Sequence, residues 1–356
     1  MTRVLQAIAG GPHGGAERQF VRLALALHRA GTEQRILIRR DPERAAALAA
    51  GGLEPVELAF GGPFDLLSGP RFRREVAAFA PDIVVTWMSR ATRFCPAARD
   101  GNGFVHAARL GGYYDLKYYR RCDHLIGNTP DIVDYLRRAG WPAARTHYLP
   151  NFVPAEPAAA LDRAAFATPA DAKLALALGR LHANKGFDVL LNALAELPGL
   201  WLWIAGDGPL DGALKRLAER LGITERVRFL GWREDTAALL AAADVLVVPS
   251  RHEPFGNALV EAWAQRVPVV AAASAGPAAL VRPEENGLLV PVEDAPALAA
   301  AIGRVVGDAA LAERLVEGGW ESYRAGYTEA VAVAGYREFF DRALSGRPCR
   351  AGGAGL

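Results

Sequence analysis

Residues 245–271 read VLVVPSRHEPFGNALVEAWAQRVPVVA. The run opens on four apolar, mostly β-branched residues, the pattern of a buried strand. Pro249 and Ser250 end it, and a short polar loop carries Glu253. Phe255, Gly256 and Asn257 make a turn into a helix that bears Glu261, and the apolar run 267–271 is a second strand. A strand, a crossover helix and a second strand make a parallel pair. Glu253 and Glu261 stand eight residues apart and bracket the glycine turn at the helix start. Eight helical residues rise about 12 Å, comparable to the span from the sugar to the ribose of a sugar nucleotide. Amides exposed at a helix start suit a diphosphate, and ionised carboxylates are strong acceptors for vicinal hydroxyls.

The same alternation runs outward in both directions. Residues 4–9, 34–38, 83–86, 104–108 and 125–127 read as strands, with helices over 16–30 and 130–139. Further on, 174–178, 200–205, 227–230 and 288–290 read as strands, and 186–197, 210–221, 236–243 and 295–306 as helices. Between the two series lies the proline-rich PNFVPAEP, followed by an alanine-rich stretch, which reads as a linker. Strand-helix alternation predicts parallel sheets covered on both faces. The expected architecture is α/β with two Rossmann-like domains facing across a cleft. Residues 1–153 would form the N-terminal, acceptor-side domain and 154–329 the C-terminal, nucleotide-sugar domain, with 345–356 a disordered tail.

A chain of 356 residues suits two domains better than one core. Three scattered cysteines, Cys95, Cys122 and Cys349, form no C-x-x-C pair, which argues against a disulfide framework or zinc site and fits a reducing cytoplasm. The short strand-like start runs straight into a glycine loop, unlike a signal peptide. No stretch reaches the ~18 apolar residues of a spanning helix. The best candidate, 267–281, contains Gly276 and Pro277. Net charge is +2 but uneven: residues 1–153 hold 21 Lys and Arg against 14 Asp and Glu, and the remainder 20 against 25. The basic half suits an anionic membrane surface or an anionic acceptor, and composition drift explains it equally well. No nucleic-acid module is present.

Gly179-Arg180 and Lys185-Gly186 follow the strand 174–178 and lead into a helix. Two cations beside helix-start amides would bind a diphosphate and stabilise it as it leaves. Gly206-Asp207-Gly208-Pro209 makes a tight turn after the next strand, and Phe229-Leu230-Gly231 ends the one after. His13-Gly14-Gly15-Ala16-Glu17 closes the first loop, a weak phosphate signal by itself. The strand 104–108 ends at Arg109, with His106 deeper inside it. An aromatic and basic cluster from Tyr113 to Arg120 follows, read either as an acceptor or bilayer contact or as a half-buried helix face. No Asp-x-Asp pair implies a metal, and neither a serine-hydrolase elbow nor a Walker loop is present.

Together these motifs resemble the retaining glycosyltransferases of family 4, whose signature is Glu-x7-Glu. The resemblance spans nearly the whole chain and is most specific over residues 174–290. It implies the GT-B fold, with the final helix, 330–344, crossing back to the N-terminal domain. It also implies roles. Glu253 with the amides near Phe255, Gly256 and Asn257 would hold the donor sugar, and Glu261 the ribose. Arg180 and Lys185 would hold the leaving diphosphate. Gly206 and Leu230 would lie toward the nucleotide, and Gly14 and Gly15 would approach its phosphate from the other domain. A polar residue at the end of the strand 104–108 would touch the transferred sugar: Arg109 fits the position, His106 the residue type. The implied reaction needs no cofactor or metal. It moves a sugar from a nucleotide-diphosphate sugar, UDP by default, to a cell-surface glycan or glycolipid such as lipopolysaccharide core, in the cytoplasm or on the inner face of its membrane. Two other readings stay open: a UDP-sugar 2-epimerase, and a non-catalytic scaffold for sugar nucleotides.

Overall fold

The computed structural model describes residues 2–11, 14–62, 64–97 and 103–345. The chain forms two compact units, one of Met1–Asn151 with Glu329–Leu356, the other of Phe152–Thr328.

In the first unit the order is β1 (Arg3–Ile8), α1 (Gly15–Arg29), β2 (Glu33–Arg39), α2 (Pro42–Ala50), β3 (Val56–Leu58), α3 (Ser68–Phe79), β4 (Ile83–Trp87), α4 (Met88–Phe94), β5 (Val105–Leu110), β6 (His124–Gly127), α5 (Pro130–Arg138) and β7 (Thr146–Tyr148). The seven strands lie in the order β3-β2-β1-β4-β5-β6-β7, and every pairing is parallel. Two helix starts are written plainly in the sequence. Asp41 caps α2 by accepting from the Arg44 amide, and Thr129 caps α5 by accepting from Ile132, each with proline next.

The second unit runs β8 (Leu174–Leu178), α6 (Phe187–Ala195), β9 (Trp201–Ala205), α7 (Asp211–Arg220), β10 (Val227–Phe229), α8 (Thr236–Ala242), β11 (Val245–Val248), α9 (Asn257–Ala264), β12 (Val269–Ala272), α10 (Ala275–Leu280), β13 (Leu288–Val290), α11 (Ala295–Gly307) and α12 (Ala309–Gly326). Its six strands lie in the order β10-β9-β8-β11-β12-β13, again all parallel. Along β8 and β11 the side chains alternate between faces. Ala175, Ala177, Val245 and Val247 join one core with Leu190, Leu194 and Ile302, while Leu174, Leu176, Leu246 and Val248 join another with Leu240, Leu259 and Trp263. Burial on both faces is why these strands read as unbroken apolar runs. The last helix, α13 (Glu329–Ser345), belongs to the first unit. There Arg29 pairs with Glu329, and Phe339 packs on His147.

Several expectations need correction. The strands β3 and β7 and the helices α2, α3, α4, α10 and α12 were not legible in the pattern. The strand expected over 267–271 is β12, Val269–Ala272, and α10 follows it within the run to residue 281. The strand expected over 104–108 extends to Leu110, because Arg109 pairs in register with Trp87 and Ile126 and stays inside the sheet. The cluster from Tyr113 to Arg120 is no helix face: it holds a single 3-10 turn, Leu116–Tyr118, with Tyr119 buried and Tyr113 and Tyr118 exposed. The tail expected to be disordered lies, from residue 346 onward, outside the described residues.

Candidate active site

In the second sheet the strand order reverses direction between β8 and β11. At such a point the loops leaving the two strands' C-terminal ends diverge, and a crevice opens where ligands bind in open α/β sheets. The loop after β8 carries Arg180 and Lys185; the loop after β11 carries Glu253.

The two loops meet. Lys185 Nζ donates to Glu253 Oε2, with both side chains largely shielded from solvent. Backbone contacts hold the register: the His252 amide donates to the Asn184 carbonyl at 3.1 Å. Gly186, at φ 65°, lies so close to the Pro249 carbonyl that a Cβ would come within 2.1 Å of it, so glycine is required on both conformational and steric grounds. An ammonium has three donors. Glu253 therefore uses one and leaves Lys185 able to bind an anion as well. Arg180 is exposed and has no ion-pair partner among the described residues.

A second cation braces this arrangement. Arg251 donates to both carboxylate oxygens of Asp188 at 2.7 and 2.8 Å, to Glu293 at 2.7 Å and to the Ala183 carbonyl at 2.9 Å. Asp188 lies in the first turn of α6, directly after the Lys185 loop. The hydrogen bonds from Arg251 hold its carboxyl below the ordinary aspartate value. The bidentate geometry fixes orientation as well as distance. These residues were missed in the sequence, where Arg251 and Asp188 carry no spacing signal of their own.

Gly256 is the residue before α9 and sits at φ 100°. Beneath this turn Gly276 donates to the Glu253 carbonyl at 2.7 Å, and a Cβ there would come within 2.3 Å of the Phe255 carbonyl. The first residues of α10 thus form the floor of the Glu253 loop. Phe255 is buried beside Tyr327, and Asn257 opens α9, with Glu261 one turn further along the same helix. On the other side of β8, the Gly206 amide donates to the Gly231 carbonyl and the Leu230 amide to Ile204. A Cβ on Gly206 would come within 1.8 Å of the Gly179 carbonyl, so the turn after β9 lies directly on the loop that carries Arg180. Gly206, Leu230, Arg180, Lys185, Glu253, Phe255, Gly256, Asn257 and Glu261 all follow C-terminal strand ends of this one sheet.

In the first unit the reversal falls between β1 and β4. Gly14 and Gly15 stand at the start of α1, in the loop after β1; Pro12 and His13 lie outside the described residues. Glu17 is buried, and its Oε1 accepts from the Gly11 amide at 2.9 Å. Arg44, also buried, donates to the Gly11 carbonyl. This loop is pinned through both its amide and its carbonyl, a role for Glu17 that a surface-charge reading had not anticipated.

Arg109 and His106 are not exposed strand-end groups. Arg109 is 3% exposed, lies 4.4 Å from the Trp87 ring, and donates to the Tyr336 hydroxyl at 2.9 Å and to Asn151 Oδ1. His106 is 2% exposed, hydrogen-bonds Thr86 Oγ1 at 2.9 Å, and has a pKa lowered to about 4 by burial. Both are buried members of the first unit, with Arg109 engaged by Tyr336 and Asn151 and His106 by Thr86. Among the described residues no cluster of three or more His, Cys, Asp or Glu side chains is placed to hold a metal ion.

Two parallel α/β units, each with one strand-order reversal, and a lysine and a glutamate joined at the reversal of the second sheet define a two-domain α/β protein of the doubly wound class. The model of the family described as Glycosyl transferases group 1 matches residues 172–308, and that of Glycosyltransferase Family 4 matches residues 13–157. The lipopolysaccharide core biosynthesis glycosyltransferase LpsD of Rhizobium meliloti (strain 1021) is 38% identical over 344 residues, which is 95% of this chain and 98% of the relative. LpsE of the same organism, with the same description, is 39% identical over 319 residues, 88% of this chain and 91% of the relative. Among solved structures, Anabaena Alr3699/HepE in complex with UDP-glucose has the same fold, with a TM-score of 0.83 at 20% identity over 96% of this chain and 100% of the other. The chain belongs to the group 1 glycosyltransferases and has the GT-B fold; it is a transferase.

Proposed function

We propose that the chain transfers a sugar, with retention of configuration and without a metal ion, from a UDP-sugar to the lipopolysaccharide core or a closely related membrane-anchored glycan. The observation that carries the reading is the meeting of Lys185 and Glu253 at the reversal of the second sheet. The relatives LpsD and LpsE, described as lipopolysaccharide core enzymes, support the acceptor class. HepE, solved with UDP-glucose, supports the donor class.

In this reading Arg180 and Lys185 neutralise the departing diphosphate, the charge that grows most in the transition state. Glu253, with the amides near Phe255, Gly256 and Asn257, holds the sugar hydroxyls, and Glu261 holds the ribose. Gly206 and Leu230 contribute main-chain walls toward the nucleotide. The acceptor oxygen attacks the anomeric carbon from the face the diphosphate leaves, and the leaving phosphate takes the acceptor proton. Reaction takes place on the cytoplasmic side, with the basic first unit against the anionic membrane that carries the acceptor.

The test is transfer from a panel of UDP-sugars to lipopolysaccharide core acceptors truncated at successive sugars. Transfer is expected with one donor and one acceptor length, unchanged by EDTA, and a loss of at least about 100-fold is expected in Lys185→Ala with Glu253→Ala. An unaffected double variant, or release of an isomerised UDP-sugar without acceptor, would overturn the assignment.

A further inference from the structure

The segment between β3 and α3 presents three large apolar side chains to water: Phe64 is 94% exposed, Leu66 80% and Leu67 70%. Scattered exposed leucines are ordinary on a protein surface, but three within four residues form a patch. The segment is held in shape rather than left loose. Asp65 Oδ2 accepts from the Gly61 amide at 2.7 Å and from Ser68 Oγ at 2.6 Å; Oδ1 accepts from the Leu67 and Ser68 amides at 3.1 and 3.0 Å. The Ser68 hydroxyl in turn accepts from the Phe60 amide at 2.9 Å. Phe60 is fully buried against Phe72 and Phe94. The Ser68 hydroxyl and the three amides hold the Asp65 carboxyl down to about 2, so this bracing persists across physiological pH.

Cations follow the patch along the chain, on the helix that starts at Ser68 and on the helix packed against it. The helix α3 buries Phe72 and Val76 and leaves Arg71, Arg73 and Arg74 exposed. Arg90 and Arg93 are exposed on the neighbouring α4, and Arg90 donates to the Phe60 carbonyl at 3.3 Å. None of the five has an acidic partner among the described residues; the acids nearby are Asp65, engaged by the turn, and Glu75, paired with Arg35. Exposed apolar side chains beside unpaired guanidinium groups complement a surface that is apolar beneath and phosphate-bearing above. No single helix among the described residues is long and apolar enough to span a membrane, so contact at this patch would be interfacial.

We infer that Phe64, Leu66 and Leu67, together with Arg71, Arg73 and Arg74, form a docking surface for an anionic lipid bilayer. The apolar tips enter the boundary between headgroups and acyl chains, and the arginines bind lipid phosphates. This names the surface for the membrane contact proposed above and rests on that reading.

The experiment is co-sedimentation of the full chain with phosphatidylcholine vesicles, with and without phosphatidylglycerol, in the absence of donor and acceptor. The wild type is expected to sediment with the anionic vesicles only, and to be released as salt rises. F64S/L66S/L67S and R71Q/R73Q/R74Q are each expected to lose binding, the arginine variant by about 100-fold, at roughly fivefold per cation removed. R216Q/R220Q on α7 serves as the control and should bind as wild type. Both test variants should keep the wild-type melting temperature and transfer sugar to a water-soluble core fragment at the wild-type rate. Vesicle binding that survives both substitutions would overturn the inference, as would no binding to anionic vesicles at all. A wild-type dimer dispersed by F64S/L66S/L67S with vesicle binding intact would overturn it in favour of a second copy of the chain. Each of these results leaves the transfer assay to judge the proposed function separately.

Discussion

At the scale of single residues, sequence position and structural role separate most clearly at His106. Its place in the strand before Arg109 suggested a sugar contact, yet it is enclosed with Thr86, Thr92 and Cys122, and its amide donates to Asp123. Burial lowers its pKa from 6.5 to about 4. The unfolded chain therefore takes up a proton below about pH 6.5 that the folded chain refuses until about pH 4. Stability attributable to this group is complete above pH 6.5, falls as pH drops toward 4, and changes no further below it, by up to roughly 3 kcal/mol. Thermal melting of His106→Gln across this range should show a flatter decline than the wild type. Parallel curves would mean that His106 is not held neutral. The conjunction of Lys185 with Glu253 was legible, because the local contexts of the two, a cation before a helix start and a carboxylate before a glycine turn, single them out without tertiary partners. Arg109 was not, because what engages it comes from 227 residues further along the chain, at Tyr336.

At the scale of elements, the site depends on how two loops from neighbouring strands are kept in register. Arg251 stands two residues before Glu253 and grips Asp188, three residues after Lys185. The pair is partly solvent-exposed, so its own contribution to stability is small, about 1 kcal/mol or less. Its consequence for geometry is larger, because a shift of about 1 Å at a reacting centre can lower rate about 100-fold. Arg251→Ala and Asp188→Ala should each lower kcat by roughly ten- to 100-fold with a melting temperature within a few degrees of wild type. The double variant should be no worse than the poorer single one, since both remove one connection. Steady-state kinetics and melting curves on the three variants check this; independent, additive losses would show that the two residues do not act as a unit. Elements also differ in how far the sequence reveals them. All six strands of the second sheet were legible: five are continuous apolar runs, and β10, Val-Arg-Phe, runs on into Leu230 and a glycine turn. In the first sheet the outer strands β3 and β7 have three residues each, with Glu57 and His147 at their centres. A strand so short and half-exposed leaves no period to read.

At the scale of the whole molecule, each unit repeats one design: a parallel sheet whose order reverses once, with glycine-rich loops at the reversal. The second unit places a lysine–glutamate contact there, and the first a loop pinned by Glu17 and Arg44. On the proposed function, the second unit grips a pyrophosphate through Lys185 and a sugar through Glu253. Calorimetric titration of UDP into wild type, Lys185→Gln and Glu253→Gln, followed by transfer assays on the same samples, separates the two roles most directly. UDP should bind the wild type and bind Lys185→Gln at least about tenfold more weakly, as loss of a charge-assisted contact requires. Glu253→Gln should bind UDP nearly as well as wild type yet transfer almost no sugar. UDP affinity indifferent to Lys185, together with full transfer by Glu253→Gln, would contradict the claim.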